Sequence, residues 1–298
     1  MMRKYSGARL ALAAAVMLIA PRASFAQVNV VGYWNPLVTD EDFIERVPGP
    51  NVGDYAGLPI TDAARKRANT WDASLLTLPE HQCKPHPSTY GFRGVGVLRI
   101  WEERNPQTQQ LVRLKTHIQW QEQERDIWMD GRPRPSKYAE HLYQGFSLGA
   151  WEDGVLKVVT THIKYAFIHR NGLPTSPYAV VTEYFVPHGD FITHFYYVDD
   201  PIYLTEPLVR TTTYKRAPTQ NVGRALPSEV VEELPGLKRG EVPAYPLGTK
   251  HPEYSEIHHI PFEATQGGAE TMYPEYIKRI QELLKAQPAR PSTTSTKK

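Results

Sequence analysis

Cysteine occurs once in this 298-residue chain, at Cys83. One thiol cannot close an internal disulfide, so no disulfide framework holds the fold. His81 and His86 flank it, but their spacing matches no standard zinc pattern, and a buried, unreactive thiol is the expectation. Apolar runs are equally scarce. Leu10 to Ala20 is the longest, and it falls short of the roughly 20 residues that a membrane-spanning helix needs. Internal repeats, coiled-coil heptads and alternating βαβ patterns are missing as well, which excludes solenoids, long bundles and doubly wound sheets.

The short apolar run has another use. Arg3, Lys4 and Arg9 precede it, and Ser24-Phe25-Ala26 follows with small residues at the positions a signal peptidase reads. Residues 1–26 therefore read as a cleavable leader, with cleavage expected after Ala26 and a periplasmic or secreted destination. No Cys follows the cleavage point, so no lipid anchor is expected, and no later stretch suits a membrane span. The leader carries four basic residues and no acidic one, so its removal turns the formal charge of +2 into about −2. Nucleic-acid binding thereby loses its basic footprint.

What remains is rich in residues that favour strands, with 17 Tyr and 6 Trp, and its 26 Pro favour turns and loops. Residues 27–93 read as an extended arm (28–50) followed by a short helix that Thr61 caps. Residues 94–216 read as strands: 95–101 and 111–121 around the turn signal Asn105-Pro106-Gln107-Thr108, then 125–129, 155–165, 178–186, 191–198 and 203–214. Consecutive hairpins predict a mainly β fold, an antiparallel sheet curled or closed into a calycin-like barrel with short flanking helices; a β-sandwich is the alternative. Residues 217–287 form a C-terminal extension with an amphipathic helix over 274–286, expected to pack on the barrel. Residues 288–298 read as a disordered tail.

Candidate chemistry begins with three strand segments that share the wording Thr-His: Thr116-His117, Thr161-His162 and Thr193-His194. Imidazoles converging from neighbouring strands would make a divalent-metal site with His117, His162 and His194 as ligands, although His117 falls on a polar strand face. Acid–base chemistry without a metal is the second enzyme reading. Glu183 lies mid-strand among apolar and aromatic residues, with His162 as its expected partner and Arg132 as an anchor for an anionic group or oxyanion. A salt bridge from an arginine such as Arg210 is the structural alternative for Glu183. The non-enzymatic class is a binder whose barrel interior holds a small organic molecule against Trp120, Trp128, Tyr165, Tyr184 and Tyr196. A protein-interaction module is a third class, permitted by the Pro-rich loops and tail. Gly145-Phe146-Ser147-Leu148-Gly149 matches a nucleophile elbow in letters, but a turn and a strand follow where that motif needs a helix.

Several landmarks recur in order: Cys83 with Pro85, Asp130-Gly131-Arg132-Pro133, Gly145 to Gly149, Trp151-Glu152, the strand from Leu156 to Thr161, Asn171 to Ser176, Glu183 and Asp200-Pro201. Over roughly residues 80–210 the chain resembles a largely uncharacterised group of exported bacterial β-rich proteins marked by a DGR turn and a WEGDTLVV-type strand. Trp151-Glu152-Asp153-Gly154-Val155-Leu156 departs from that pattern, in which Gly precedes Asp and Thr follows. The resemblance implies export and a β fold, and it supplies no activity. The expectation is an exported small-molecule-binding barrel with lyase, hydratase or isomerase chemistry that needs no cofactor.

Overall fold

The computed structural model describes residues 29–37, 51–72, 75, 86–92, 96–118, 123–169, 171–217, 238 and 241–286. The expected leader and cleavage point, Cys83, Trp120 and the expected tail lie outside these residues. Among the described residues, nine strands close into a barrel. In chain order the strands are β1 (Gly32–Pro36), β2 (Leu98–Arg104), β3 (Leu111–Ile118), β4 (Gln123–Trp128), β5 (Phe146–Glu152), β6 (Val155–Thr161), β7 (Ala166–Phe167), β8 (Pro174–Thr175), β9 (Val180–His188), β10 (Phe191–Asp199) and β11 (Leu208–Arg216). The order around the barrel is β1-β11-β10-β9-β6-β5-β4-β3-β2, and β7 with β8 forms a separate ribbon.

The hairpins arise from local chemistry. Asn105 turns β2 into β3 by accepting from the N–H groups of Gln107 (2.9 Å) and Thr108 (3.0 Å) through its side chain. β9 and β10 pair along their full length, from Phe191 opposite His188 to Asp199 opposite Val180. The expected strand 203–214 starts later, at Leu208, because the Asp200 carboxylate accepts from the N–H groups of Ile202 (3.0 Å) and Tyr203 (3.2 Å) and coils that stretch into a turn. One pairing departs from the antiparallel expectation: β4 and β5 run parallel, with Ile127 beside Ser147. The connection 129–145 carries Pro133 and Pro135 and cannot make a tight hairpin. The chain crosses back and re-enters the sheet in the same direction.

The expected entry arm supplies a barrel strand. β1 pairs with β11 on one side and β2 on the other, and Trp34 is buried beneath it. The chain then covers one mouth. Tyr55, Leu58 and Ile60 pack with Ala64 and Ala68 of helix α1 (Asp62–Ala68) against Val181, Tyr196, Val198 and Leu208 of the strands. Thr61 caps α1, its hydroxyl accepting from Ala64 N–H at 3.2 Å. A second apolar cluster fills the other part of the interior, built on Leu98, Ile100, Leu114, Ile127, Leu156, Phe185 and Tyr214.

Several landmarks of the sequence turn out to be staples. The buried Asp200 carboxylate also accepts from Ser176 N–H (2.6 Å) and Ser176 Oγ (2.8 Å). Asn171 Nδ2 donates to the carbonyls of Asn51 (3.1 Å) and Asp54 (2.8 Å). The C-terminal segment adds helices α2 (Glu253–His258), α3 (Phe262–Thr265) and α4 (Tyr276–Ala286). α4 is amphipathic, yet none of its residues is buried, and its main contacts are with α3 and the 3-10 turn at Ala269–Met272 rather than with barrel strands. Ile277 and Leu284 of α4 remain exposed.

Candidate functional site

Between the two apolar clusters lies a layer of polar side chains that point into the barrel. Strand alternation places them there. On β9, Val181, Glu183 and Phe185 face inward, and on β10 so do Ile192, His194, Tyr196 and Val198. On β4 the inward residues are Gln123, Arg125 and Ile127. Register fixes that choice, because Leu114 of β3 lies opposite Ile127 and Thr116 opposite Arg125.

Three of these side chains join across the barrel. Arg125 Nη1 donates to Glu183 Oε2 at 2.8 Å and Nη2 to Oε1 at 3.0 Å, a bidentate pair. His194 Nε2 lies 3.0 Å from Glu183 Oε1. Glu183 and His194 are 0 % exposed and Arg125 4 %. Burial pushes the Glu183 carboxyl up, but the Arg125 charge and the His194 bond outweigh it and hold the group below the usual carboxylate range. An ionised carboxylate only accepts, so His194 Nε2 carries a hydrogen and donates. Aromatic rings enclose the network. The His194 ring sits 4.7 Å from Phe185, 5.2 Å from Tyr196 and 5.3 Å from Phe92, and the Arg125 guanidinium lies 4.9 Å over Phe92. Tyr196 Oη donates to the Tyr90 carbonyl at 3.0 Å, which fastens the 3-10 turn Ser88–Tyr90 to the site.

Around this network several buried polar atoms have no hydrogen-bond partner among the described residues. They are His194 Nδ1, Thr212 Oγ1, Arg125 Nε, Thr116 Oγ1 and Gln123 Nε2. Thr212 is the cross-strand neighbour of His194, and Thr116 that of Arg125. Ser147 and Thr160, in the same polar layer, satisfy each other at 2.8 Å.

The structure brings together two of the expected site residues, Glu183 and His194, and Tyr196 stacks on the His194 ring. The others lie elsewhere. His162 directly follows β6 with a φ of +57°, which breaks the alternation expected to carry it inward. Its ring contacts Thr161 Oγ1 and the Ser136 carbonyl, both at 2.9 Å. His117 points outward, 3.5 Å from Glu124 across the β3–β4 pair. The three histidines therefore do not converge, and among the described residues no group of three His, Cys, Asp or Glu side chains is arranged to hold a metal ion. Arg132 pairs with Asp130 within the DGR turn and lies 3.3 Å over Trp128, on the outside. Tyr184 faces outward beside Phe195, and Tyr165 is 51 % exposed. Arg125, not Arg210, holds Glu183. Ser147 sits mid-strand with its hydroxyl on Thr160, an arrangement unlike a nucleophile elbow.

Arg125 and Thr212 are the residues that sequence reasoning missed. β4 reads Gln-Glu-Arg-Asp-Ile-Trp, polar on both faces, so hydropathy gives no inward side. The one usable signal was the apolar Ile127 two positions on. A surface depression of about 660 Å³ also exists, walled by Glu263, Glu270, Tyr273, Glu275, Tyr276, Arg279 and Leu283. It belongs to the C-terminal segment, and none of the unpartnered barrel atoms lines it.

No protein family model, curated protein or solved structure matches this chain.

Proposed function

We propose that this chain is an exported barrel that binds a small organic molecule in its interior, against Arg125, Glu183 and His194, and performs acid–base chemistry on it. One observation carries the reading: five buried donor or acceptor atoms around a single charged network have no hydrogen-bond partner among the described residues. Each such atom costs roughly 1–3 kcal/mol if nothing satisfies it. So many open groups in one layer call for an explanation, and an occupant that satisfies them is the one this reading adopts. Apolar and aromatic walls with a few convergent polar groups are also the usual make-up of a small-molecule site. The acid–base part rests on Glu183 and His194. A carboxylate that fixes an imidazole by one nitrogen leaves the other nitrogen as a base, the same division of labour as in hydrolase triads.

Native mass spectrometry of the protein, purified from a periplasmic extract, tests the binding part. The expected spectrum shows an organic mass retained by the natural chain and lost from Thr212→Val, which removes one open hydroxyl at nearly constant volume. A bare polypeptide mass, with slowly exchanging interior water detected by NMR, would sink the reading. Turnover tests the chemistry: once a converted substrate is found, Glu183→Gln is expected to abolish conversion in a folded protein.

A further inference from the structure

We infer that helix α4 docks on a membrane surface: its exposed apolar row enters the headgroup layer of an anionic phospholipid bilayer, and its lysines meet the lipid phosphates. α4 contacts α3 and the turn Ala269–Met272 more than any barrel strand, so this role is separate from that of the interior.

The two sides of α4 differ. Tyr276, Arg279 and Leu283 turn toward the segment before the helix and wall the depression there with Glu263 and Glu270. Ile277 and Leu284, seven positions apart, share another row and are 58 % and 45 % exposed. Ile280, half-buried, lies between the two sides. Lys278 and Lys285, again seven apart, form the row beside Ile277 and Leu284, about 100° further round the helix. Among the described residues Arg279 pairs with Glu282 (3.7 Å), and Lys278 and Lys285 pair with no carboxylate. An exposed apolar row edged by lysines is the pattern that seats a helix in the plane of a bilayer surface. The branched side chains enter the acyl boundary, and the lysine stems lie along it with their charges in the headgroups. Eleven residues reach only about 16 Å, so the helix lies on the bilayer and does not span it.

Charge selects the lipid. Residues 276–298 hold six basic residues and one acidic one, Glu282, for a formal charge of +5. Residues 27–275 carry a formal charge of −7. An anionic surface attracts one end of this chain and repels the rest, which turns α4 toward it. Other occupants fit the row less well. Residues 287–298 contain no Val, Ile, Leu, Met or aromatic side chain to lay on it. A second copy would bring two +5 segments together, and eleven residues fall short of the three heptads that a coiled-coil seam needs.

The test is co-sedimentation of the full chain, purified from a periplasmic extract, with vesicles of two compositions. One is phosphatidylglycerol and phosphatidylcholine in equal parts, the other phosphatidylcholine alone. Binding to the anionic vesicles should be about tenfold or more tighter than to the zwitterionic ones. Ile277→Asp with Leu284→Asp should abolish it. Lys278→Gln with Lys285→Gln, which leaves the apolar row intact, should weaken it about tenfold or more. Both double variants should keep the urea midpoint of the natural chain. Leu284→Trp should bind, and brominated acyl chains should quench its added fluorescence. Absence of binding to the anionic vesicles, equal binding to both compositions, or binding that survives the aspartate variant would overturn the inference. A urea midpoint that falls in the aspartate variant would also overturn it and place another part of this chain on the row. A dimer in sedimentation equilibrium that the same variant dissolves would overturn it in favour of a second copy.

Discussion

The barrel carries two arginine–carboxylate–aromatic clusters, one inside and one outside. Inside, Arg125 forks onto Glu183 beneath Phe92, with every partner buried. Outside, Trp128 lies between Arg132 (3.3 Å) and Arg113 (4.9 Å), and these arginines pair with Asp130, Asp126 and Glu103. The residue types are the same and the energetics differ. Water solvates and salt screens the outer cluster, so its ion pairs add little to stability. The inner cluster has no solvent to fall back on, so losing one partner strands a charge. The outer turn is also the more conspicuous in the sequence, because Asp130-Gly131-Arg132 is a compact motif. A compact motif here marks an exposed turn, and the buried charge network is built from residues far apart in the chain.

The largest break in this contrast should come from Arg125→Ala. It leaves Glu183 buried and uncompensated and should cost about 3–5 kcal/mol. Urea denaturation measures it, and a double variant Arg125→Met, Glu183→Leu should recover most of the loss. Gly91→Ala comes next. Gly91 has a φ of +63°, and a Cβ there would meet the Tyr196 ring at 2.8 Å. The cost should be about 1–3 kcal/mol in the same experiment, from backbone strain and a displaced ring. His194 resonances should move as well, because Tyr196 stacks on that imidazole.

Acid sharpens the comparison. Glu183 is held below its ordinary range, so its contribution is present above the unfolded value near 4.3 and is lost as pH falls through the folded one. Asp130, which the Arg132 hydrogen bond lowers to about 2, acts in the same sense. Asp54, whose carboxyl burial raises, opposes them. Stability should fall below about pH 4.5, and Glu183→Gln should flatten that fall more than Asp130→Asn does. The smallest effect belongs to Arg132→Ala. It should shift Tm by at most about 2 °C, and 1 M salt should erase the shift. The Arg125 deficit should survive the same salt.

Much of the barrel was readable because hairpins announce themselves. Asn105-Pro106 and Pro187-His188-Gly189-Asp190 separate strands whose alternation is visible, and the β9–β10 pair lies close to its expected place. The parallel β4–β5 pair was not readable, since no local signal says in which direction a strand re-enters a sheet. Within the site, Glu183 stood out as a charge among apolar neighbours. Its arginine did not, because Arg125 sits in a strand whose two faces carry similar polarity. His162 misled for a conformational reason: alternation extrapolated from Leu156, Val158 and Thr160 fails at a left-handed residue. The Thr-His repetition also points its rings three ways, because side-chain direction depends on register and strand ends.

β1 is the barrel's closing strand, and it is made first. Its partners are β2 and β11, and the second is completed only at Arg216. Until that residue is available, Gly32–Pro36 can pair on one edge alone, and closure waits for a contact across most of the fold's length. Such long-range closure makes folding slow. The ring cannot seal before its last strand arrives. Removing β11 should therefore leave an open sheet with two sticky edges instead of a smaller barrel.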